Sequence, residues 1–258
     1  MKQLINILWT GGLDSTFRLV ELSREDVEIQ PYYILDPSRN SVPQERKAMR
    51  KIYSALHSKT STKANLKEII FIDLKTITKD DNIKSAWTSL NLSHKLGSQY
   101  DFLARFAIQN NLILEVGLEN SERSKATNVL KSYGALKMQS YLRTKNMDSL
   151  TWDKVYAIDT DSATTTCRLI FENLRFPAHL FNIEKIEEAQ KLRDWGCEDI
   201  LKLTWFCHSP IFGLPCGQCN PCRDALNEGM EWRVPTLGKV LGFIRAIPKN
   251  TVKKILRR

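Results

Sequence analysis

The sequence predicts an α/β protein in which a parallel sheet is flanked by helices, with a small zinc-binding segment near the C-terminus. Short apolar runs of strand length alternate with amphipathic helical stretches through the first half of the chain. This alternation is typical of parallel strands that are covered on both faces. Four cysteines then fall within a short segment, Cys207–Cys222. In a cytosolic protein such a cluster indicates a metal site before it indicates disulfides.

The elements follow one another in a regular order. The predicted strands are Leu4–Trp9, Ile29–Leu35, Glu68–Leu74, Leu112–Leu118 and Ala178–Ile183. The predicted helices are Ser15–Ser23, Pro43–His57, Tyr100–Asn110, Glu184–Trp195 (ended by Gly196) and a short one around Arg223–Trp232. Residues 75–98 and 120–160 are polar and long for plain loops, so we expect them to carry helices or to cover a site. We divide the chain into an α/β domain (1–203), a cysteine segment (204–235) and a basic tail (236–258).

Composition limits the classes of function. The chain has 258 residues, 42% hydrophobic and 26% charged, which is ordinary for a globular protein. It has no run long enough to span a bilayer, and Leu4–Trp9 is too short for a signal-peptide core, so we expect a cytoplasmic protein without a membrane partner. The net charge of +9 suits anionic substrates such as nucleotides, or nucleic acid. The basic tail is expected to be a solvated terminus.

The first motif is LWTGGLDSTF, which follows the first predicted strand. Gly11 and Gly12 allow a sharp bend that exposes backbone N–H groups, and the helix that follows adds donors and a partial positive charge. The hydroxyls of Thr10, Ser15 and Thr16 are further donors. Asp14 can hold Mg²⁺ beside phosphates or cap the helix. The stretch is neither a Walker A loop nor the dinucleotide fingerprint, and by composition alone a capped strand-to-helix turn explains it equally well.

The second motif is CHSPIFGLPCGQCNPC, with the spacing C-x8-C-x2-C-x2-C. Cys207, Cys216, Cys219 and Cys222 would fill the tetrahedron of a structural Zn²⁺ and leave no position for water. An iron–sulfur cluster is the alternative, because four cysteines also bind iron. The two remaining cysteines, Cys167 and Cys197, are expected to be plain core residues.

TGGLDST resembles the SGGxDS signature of the PP-loop, or N-type ATP pyrophosphatase, superfamily. The resemblance implies a Rossmann-like fold of the adenine nucleotide alpha hydrolase type, and a loop that grips the pyrophosphate of ATP with Mg²⁺. It makes Asp14 and Ser15 the catalytic residues and assigns the nucleotide to the segment Thr10, Gly11, Gly12, Leu13, Asp14, Ser15 and Thr16. By position rather than by motif, it also places Ile34 and Leu35, at the end of the second strand, near the adenine.

The PP-loop and the cysteine spacing together resemble 7-cyano-7-deazaguanine synthases. This likeness extends over PAHLFNIEKIEEAQKLRDWGCEDILKLTWFCHSPIFGLPCGQCNPC and, more loosely, over LGSQYDFLARFAIQNNLILEVGLEN. It implies a ligase that adenylates the carboxylate of 7-carboxy-7-deazaguanine or a related compound, takes ammonia and forms an amide or nitrile. It also suggests a homodimer. Lys95, Arg105 and Arg168 are candidates for neutralising the α-phosphate.

The chain departs from that family between residues 98 and 168. Ser98-Gln99 replaces the Arg-Asn pair before the middle helix, and about forty extra residues follow GLEN before Thr166-Cys167-Arg168. Two alternatives therefore stay open. The activated deazaguanine can be joined to another amine or to a protein, or the chain can be a PP-loop enzyme that modifies tRNA, although nucleic acid is not the favoured partner. A nucleotide-sensing module without turnover is a third reading.

Overall fold

The computed structural model describes residues 2–118, 124–142 and 151–246. Its strands are β1 Leu4–Leu8, β2 Glu28–Leu35, β3 Asn65–Leu66, β4 Ile70–Asp73, β5 Leu114–Glu115, β6 Leu136–Ser140, β7 Lys154–Ile158 and β8 Leu174–Pro177. Its α-helices are α1 Leu13–Ser23, α2 Val42–Ser58, α3 Asp81–His94, α4 Gln99–Gln109, α5 Lys125–Tyr133, α6 Thr165–Phe171, α7 Lys185–Asp194, α8 Glu198–Leu203, α9 Asn220–Asn227 and α10 Thr236–Ala246. The predicted α/β class is confirmed: a mostly parallel sheet is flanked by helices.

The sheet has the order β3-β2-β1-β5-β8-β7-β6. β3 pairs with the first residues of β2, and β4 pairs with its last residues. β1 lies parallel to β2 on one side and to β5 on the other. The chain thus moves outward from β1 in one direction and later returns to its other side. In open parallel sheets ligands bind at such a reversal, beyond the carboxyl ends of the strands. The loop that follows β1 is at this place.

Contact clustering divides the chain into two compact units. The first contains Met1–Thr10, Asp14–Asp36 and Ser54–Glu184, and it holds the whole sheet. The second contains Gly11–Leu13, Pro37–Tyr53 and Lys185–Arg258, and it holds the four cysteines and α7 to α10. Residues 236–246 of the basic tail are helical, and the remainder of that tail lies outside the described residues.

Two features of the sheet differ from the sequence prediction. The predicted strand Ala178–Ile183 is wrong: β8 precedes it at Leu174–Pro177, and Ala178–Phe181 is a 3₁₀ helix. Leu174 and Phe176 are fully buried while Arg175 between them is not, as expected for a strand, and Pro177 has no N–H to continue the ladder. The second difference is that β6 and β7 form an antiparallel pair, and β7 is antiparallel to β8, so the sheet is mixed at this edge.

A buried charge network joins α1 to β5 inside the first unit. Arg18 is 1% exposed and makes a bidentate pair with Glu115, through distances of 2.7 Å and 2.8 Å, while Tyr141 donates to the same carboxylate at 2.6 Å. Burial lowers the pKa of Arg18, but Glu115 and Glu21 outweigh it and raise that pKa above its usual value. The network holds the middle of α1 against the end of β5.

We expect Glu115→Gln to destabilise the first unit by about 3 kcal/mol, because it removes one of the two carboxylates that neutralise the buried Arg18 and leaves only Glu21, at 2.6 Å. Equilibrium unfolding in urea measures the loss. Glu28→Gln, which removes the carboxylate of the surface pair with Lys67, is the matched control and should have a much smaller effect. Equal losses in the two variants would contradict the structural role given to Glu115.

Among the described residues, no helix is both long and apolar enough to cross a membrane.

Candidate functional site

The loop after β1 runs directly into α1, as the sequence predicts. Gly11 adopts φ +71°, a left-handed conformation that favours glycine. A Cβ added at Gly11 would lie 3.0 Å from Met49 Cγ and 3.3 Å from the carbonyl oxygen of Glu45, so α2 also leaves no room there. The Gly11 carbonyl accepts a hydrogen bond from Trp205 N at 2.8 Å. Backbone conformation and close packing therefore both require glycine at this turn.

The hydroxyl side chains of the loop have different surroundings. Ser15 Oγ accepts from Thr10 N at 3.3 Å and lies 3.3 Å from Thr10 Oγ1, so these two residues close the turn on each other. Thr16 Oγ1 accepts from Trp9 Nε1 at 3.0 Å, and both side chains are fully buried. The Thr16 hydroxyl therefore anchors α1 to the core rather than facing a ligand.

Asp14 is the unusual residue of this turn. Its Oδ1 is buried and has no hydrogen-bond partner among the described residues. A buried carboxylate oxygen without a donor or cation is costly, by roughly 1–3 kcal/mol or more for a charged group. Gly117, which follows β5, lies beside it: a Cβ there would contact Ser15 N at 3.6 Å and Asp14 Cβ at 3.7 Å. A carboxylate oxygen such as Asp14 Oδ1 is the type of ligand that Mg²⁺ prefers, so this residue fits a bound cation.

The remaining residues predicted to bind nucleotide are placed as follows. Leu13 is buried, so only its backbone can face a ligand, and Ile34 belongs to the apolar core. Leu35 ends β2 opposite Asp73 of β4. Two of the three cationic residues proposed for the α-phosphate already make hydrogen bonds within the protein. Arg105 donates to the Asp101 carboxylate and to the carbonyls of Ile77 and Thr78. Arg168 donates to the carbonyl of Thr160. The third, Lys95, is exposed at the end of α3.

The four predicted metal ligands come together in the second unit. The Sγ atoms of Cys207, Cys216, Cys219 and Cys222 all lie within 4.8 Å of one another, and all but Cys219 are buried. Cys207 and Cys219 Sγ are 3.8 Å apart, which is the separation that tetrahedral Zn–S bonds of about 2.3 Å require. Backbone N–H groups of Gln218 and Cys219 donate to Cys216 Sγ at 3.5 Å and 3.4 Å. The cluster can therefore hold a metal ion such as zinc.

The electrostatics of the cluster favour a cation. A hydrogen bond from Cys207 lowers the pKa of the Cys219 thiol. Hydrogen bonding raises the pKa of Cys207, chiefly through Cys219, and that of Cys222, chiefly through Cys207. Several thiolates cannot coexist at this distance without a counter-charge, and a divalent metal supplies it. Cys167 and Cys197 are buried and do not belong to the four-cysteine group, as expected, and His208, next to Cys207, is exposed.

Helix α10 packs directly on the backbone of the cysteine loop. A Cβ at Gly238 would overlap the carbonyl oxygen of Pro215, and one at Gly242 would overlap that of Cys216. The spacing G-x3-G places both glycines on one face of α10, one turn apart. Sequence reasoning missed this contact, although a pair of glycines so spaced in an apolar helix is a signal for close packing.

We expect Gly242→Ala to destabilise the second unit by about 1–3 kcal/mol, because α10 must move off the cysteine loop. Helix propensity alone predicts the opposite sign, since alanine is favoured over glycine by about 1 kcal/mol. Thermal unfolding and the rate of zinc release to a colorimetric chelator measure the effect. Gly97→Ala is the control, because only Gln99 Cγ lies near its Cβ position, at 3.9 Å. A stabilised Gly242→Ala variant would contradict the close packing of α10 on this loop.

The candidate site thus consists of a tight glycine turn with an unpartnered buried carboxylate, and of a separate four-cysteine cluster. No protein-family model matches the chain, and the comparison with curated proteins finds no match. The functional assignment therefore depends on the chemistry of these two groups of residues.

Proposed function

We propose that the protein is an ATP-dependent ligase that adenylates a carboxylate, related to the 7-cyano-7-deazaguanine synthases of the PP-loop superfamily. Its sheet would then be of the Rossmann-like, adenine nucleotide alpha hydrolase type. The observation that carries the proposal is the unpartnered Asp14 Oδ1 in a glycine turn at the strand reversal of a parallel sheet. Asp14 is the second residue of α1 and its Oδ1 accepts no hydrogen bond from the described residues, whereas bound Mg²⁺ would satisfy this oxygen.

In this proposal the glycine turn stabilises the negative charge of the pyrophosphate of ATP. A helix N-terminus binds phosphate through its backbone N–H groups and partial positive charge, and in this proposal the N-terminus of α1 would receive the pyrophosphate of ATP. Thr10 and Ser15 offer hydroxyls beside it. Asp14 would hold Mg²⁺, which offsets phosphate charge when it is bound with ATP. The contribution of the protein is positioning and electrostatic stabilisation, so no side-chain nucleophile is needed.

The reaction then proceeds in balanced steps. A carboxylate oxygen of the substrate attacks the α-phosphorus of ATP, the bond from that phosphorus to the β-phosphate oxygen breaks, and pyrophosphate leaves. Ammonia attacks the acyl-adenylate carbon, loses a proton and expels AMP to give the amide. A second ATP can activate the amide oxygen with release of pyrophosphate, and loss of AMP, which carries that oxygen away, and of both amide protons then leaves the nitrile. Another amine in place of ammonia would give a conjugate instead.

The second unit fits a supporting role. Four cysteines fill a tetrahedron and leave no position for water, so zinc there would stabilise the fold and take no part in the chemistry. Trp205, two residues before Cys207, hydrogen-bonds to Gly11 and so links the cysteine segment to the glycine turn. We place the protein in the cytoplasm as a homodimer, in keeping with the proposed family.

Mass spectrometry of a reaction with ATP, Mg²⁺, ammonia and 7-carboxy-7-deazaguanine tests the substrate class. We expect a product lighter than the carboxylic acid by the exchange of OH for NH₂, or by the further loss of water. AMP without any change in the deazaguanine would contradict this substrate while leaving adenylation in place. If AMP is formed with none of the carboxylates tried, the result contradicts the proposed ligase activity itself.

A further inference from the structure

The second unit carries a strongly basic surface that the proposed ligase chemistry does not use. We call it the basic groove; it consists of Arg46, Lys47, Arg50 and Lys51 of α2, with Lys202 and Trp205. Two cavities of about 320 Å³ and 300 Å³ lie along it and share Pro43, Lys47 and Lys51 in their walls. Lys202 pairs with Glu198 at 3.1 Å, so the cations of α2 supply most of the positive charge of this concave surface. Such a surface is an electrostatic footprint for an anion.

The charges on α2 work against the stability of the helix. Arg46 and Arg50, and likewise Lys47 and Lys51, are four residues apart, and no acid lies between positions 46 and 53. Like charges at this spacing destabilise a helix. Lys47, Arg50 and Lys51 are exposed and have no ion pair within the part of the chain that the structure describes. These three cations therefore lack an internal counter-ion among the described residues, and an external anion would supply one.

The wall of the larger cavity adds groups that recognise more than charge. Trp205 is half-buried there, and its Nε1 donates to the carbonyl of Cys207 at 2.8 Å, which fixes the indole in place. Gln44 Oε1 is buried in the same wall and has no partner among the described residues. The cavity thus combines cations, the fixed indole ring of Trp205 and a hydrogen-bond acceptor, Gln44 Oε1, that has no donor among the described residues.

From this combination we infer that the basic groove binds single-stranded nucleic acid. Backbone phosphates lie along α2, where Arg46 and Lys47 are each followed four residues later, about 6 Å along the helix axis, by a second cation, Arg50 and Lys51. A base stacks on Trp205 and an exocyclic N–H donates to Gln44. Aromatic platforms inside basic grooves are the usual means of binding single strands. An acidic peptide would satisfy the cations but offers no planar group to the indole.

Fluorescence anisotropy with labelled oligothymidine and oligouridine of about 16 nucleotides tests the inference. It is measured without ATP, so its outcome is separate from that of the ligase assay. We expect binding that weakens steeply with salt. Lys47→Gln/Lys51→Gln should weaken it about tenfold and reduce the slope of log K against log salt by about 1.4, or 0.7 for each phosphate that is no longer neutralised. Both lysines are exposed, and circular dichroism with zinc content checks that the variant folds.

The matched control is Lys75→Gln/Lys79→Gln, which removes the same charge from exposed positions of the first unit. It should leave the salt slope unchanged. Equal weakening by both double variants would mean that net charge alone attracts the oligonucleotide, and would overturn the site. Absence of binding at low salt would overturn it as well. Displacement of the oligonucleotide by polyglutamate at equal charge concentration would assign the groove to an acidic peptide instead.

Discussion

Asp14→Asn lowers the rate of ATP cleavage by about 10³-fold or more on this account, with little change in stability. Asp14 is the second residue of α1. A residue that only stabilised this first turn would tolerate asparagine, at a cost of about 1 kcal/mol or less. Asparagine carries no charge, however, and cannot neutralise a cation at the buried Oδ1 position. Release of pyrophosphate, followed with a coupled assay at saturating ATP and Mg²⁺, measures the loss.

Asp80→Asn is the matched control for that variant. Asp80 caps α3, and its side chain accepts hydrogen bonds from Asn82 N and Ile83 N. Since asparagine can make the same bonds, we expect unchanged stability and unchanged pyrophosphate release. Wild-type turnover by Asp14→Asn would show that ATP cleavage does not need the Asp14 carboxylate and would remove the main support for the nucleotide site.

Loss of one cysteine of the cluster has the second large effect. Cys216→Ser should reduce zinc from about one ion per chain to a small fraction of that and unfold the second unit, because structural zinc contributes about 10 kcal/mol or more to folding. We expect amide hydrogen exchange to increase through α9 and α10. It should also increase at Gly11–Leu13, which share a unit with the cysteines and are held through the Trp205–Gly11 hydrogen bond.

Cys197→Ala is the control for that change. Cys197 is equally buried in the same unit but lies outside the cluster, so its loss leaves a small cavity and a full complement of zinc. Elemental analysis decides the metal in both proteins. Iron accompanied by visible absorption would contradict the zinc assignment, and full zinc occupancy in Cys216→Ser would show that Cys216 is not a ligand.

The sequence predicts the first unit best where local patterns and packing agree. β1 and α1 lie within two residues of their predicted bounds, because an apolar run and a glycine turn both mark the boundary. The prediction failed at residues 178–183, where an apolar run continued past the true strand. Only the buried–exposed alternation of Leu174, Arg175 and Phe176 separates the strand from the 3₁₀ turn that follows.

The sequence predicts the residues of the two candidate sites but not the residues that pack against them. The spacing of the cysteines predicted their convergence, because the ligands lie close along the chain. The approach of Met49 to Gly11, and of Gly117 to Asp14, joins residues far apart in sequence, and no local pattern encodes it. The cations of the basic groove on α2 are recognisable in the sequence as pairs of like charges four residues apart. Only the structure shows that they lie along two cavities.

The position of the bond that breaks in ATP tests the central claim most directly. Phosphorus NMR of ATP incubated with the protein, Mg²⁺ and 7-carboxy-7-deazaguanine identifies the products without a coupled enzyme. The account predicts AMP and pyrophosphate, formed only when the carboxylate is present and lost in Asp14→Asn. ADP and inorganic phosphate would contradict it, because cleavage between the β- and γ-phosphates delivers no adenylate to the substrate.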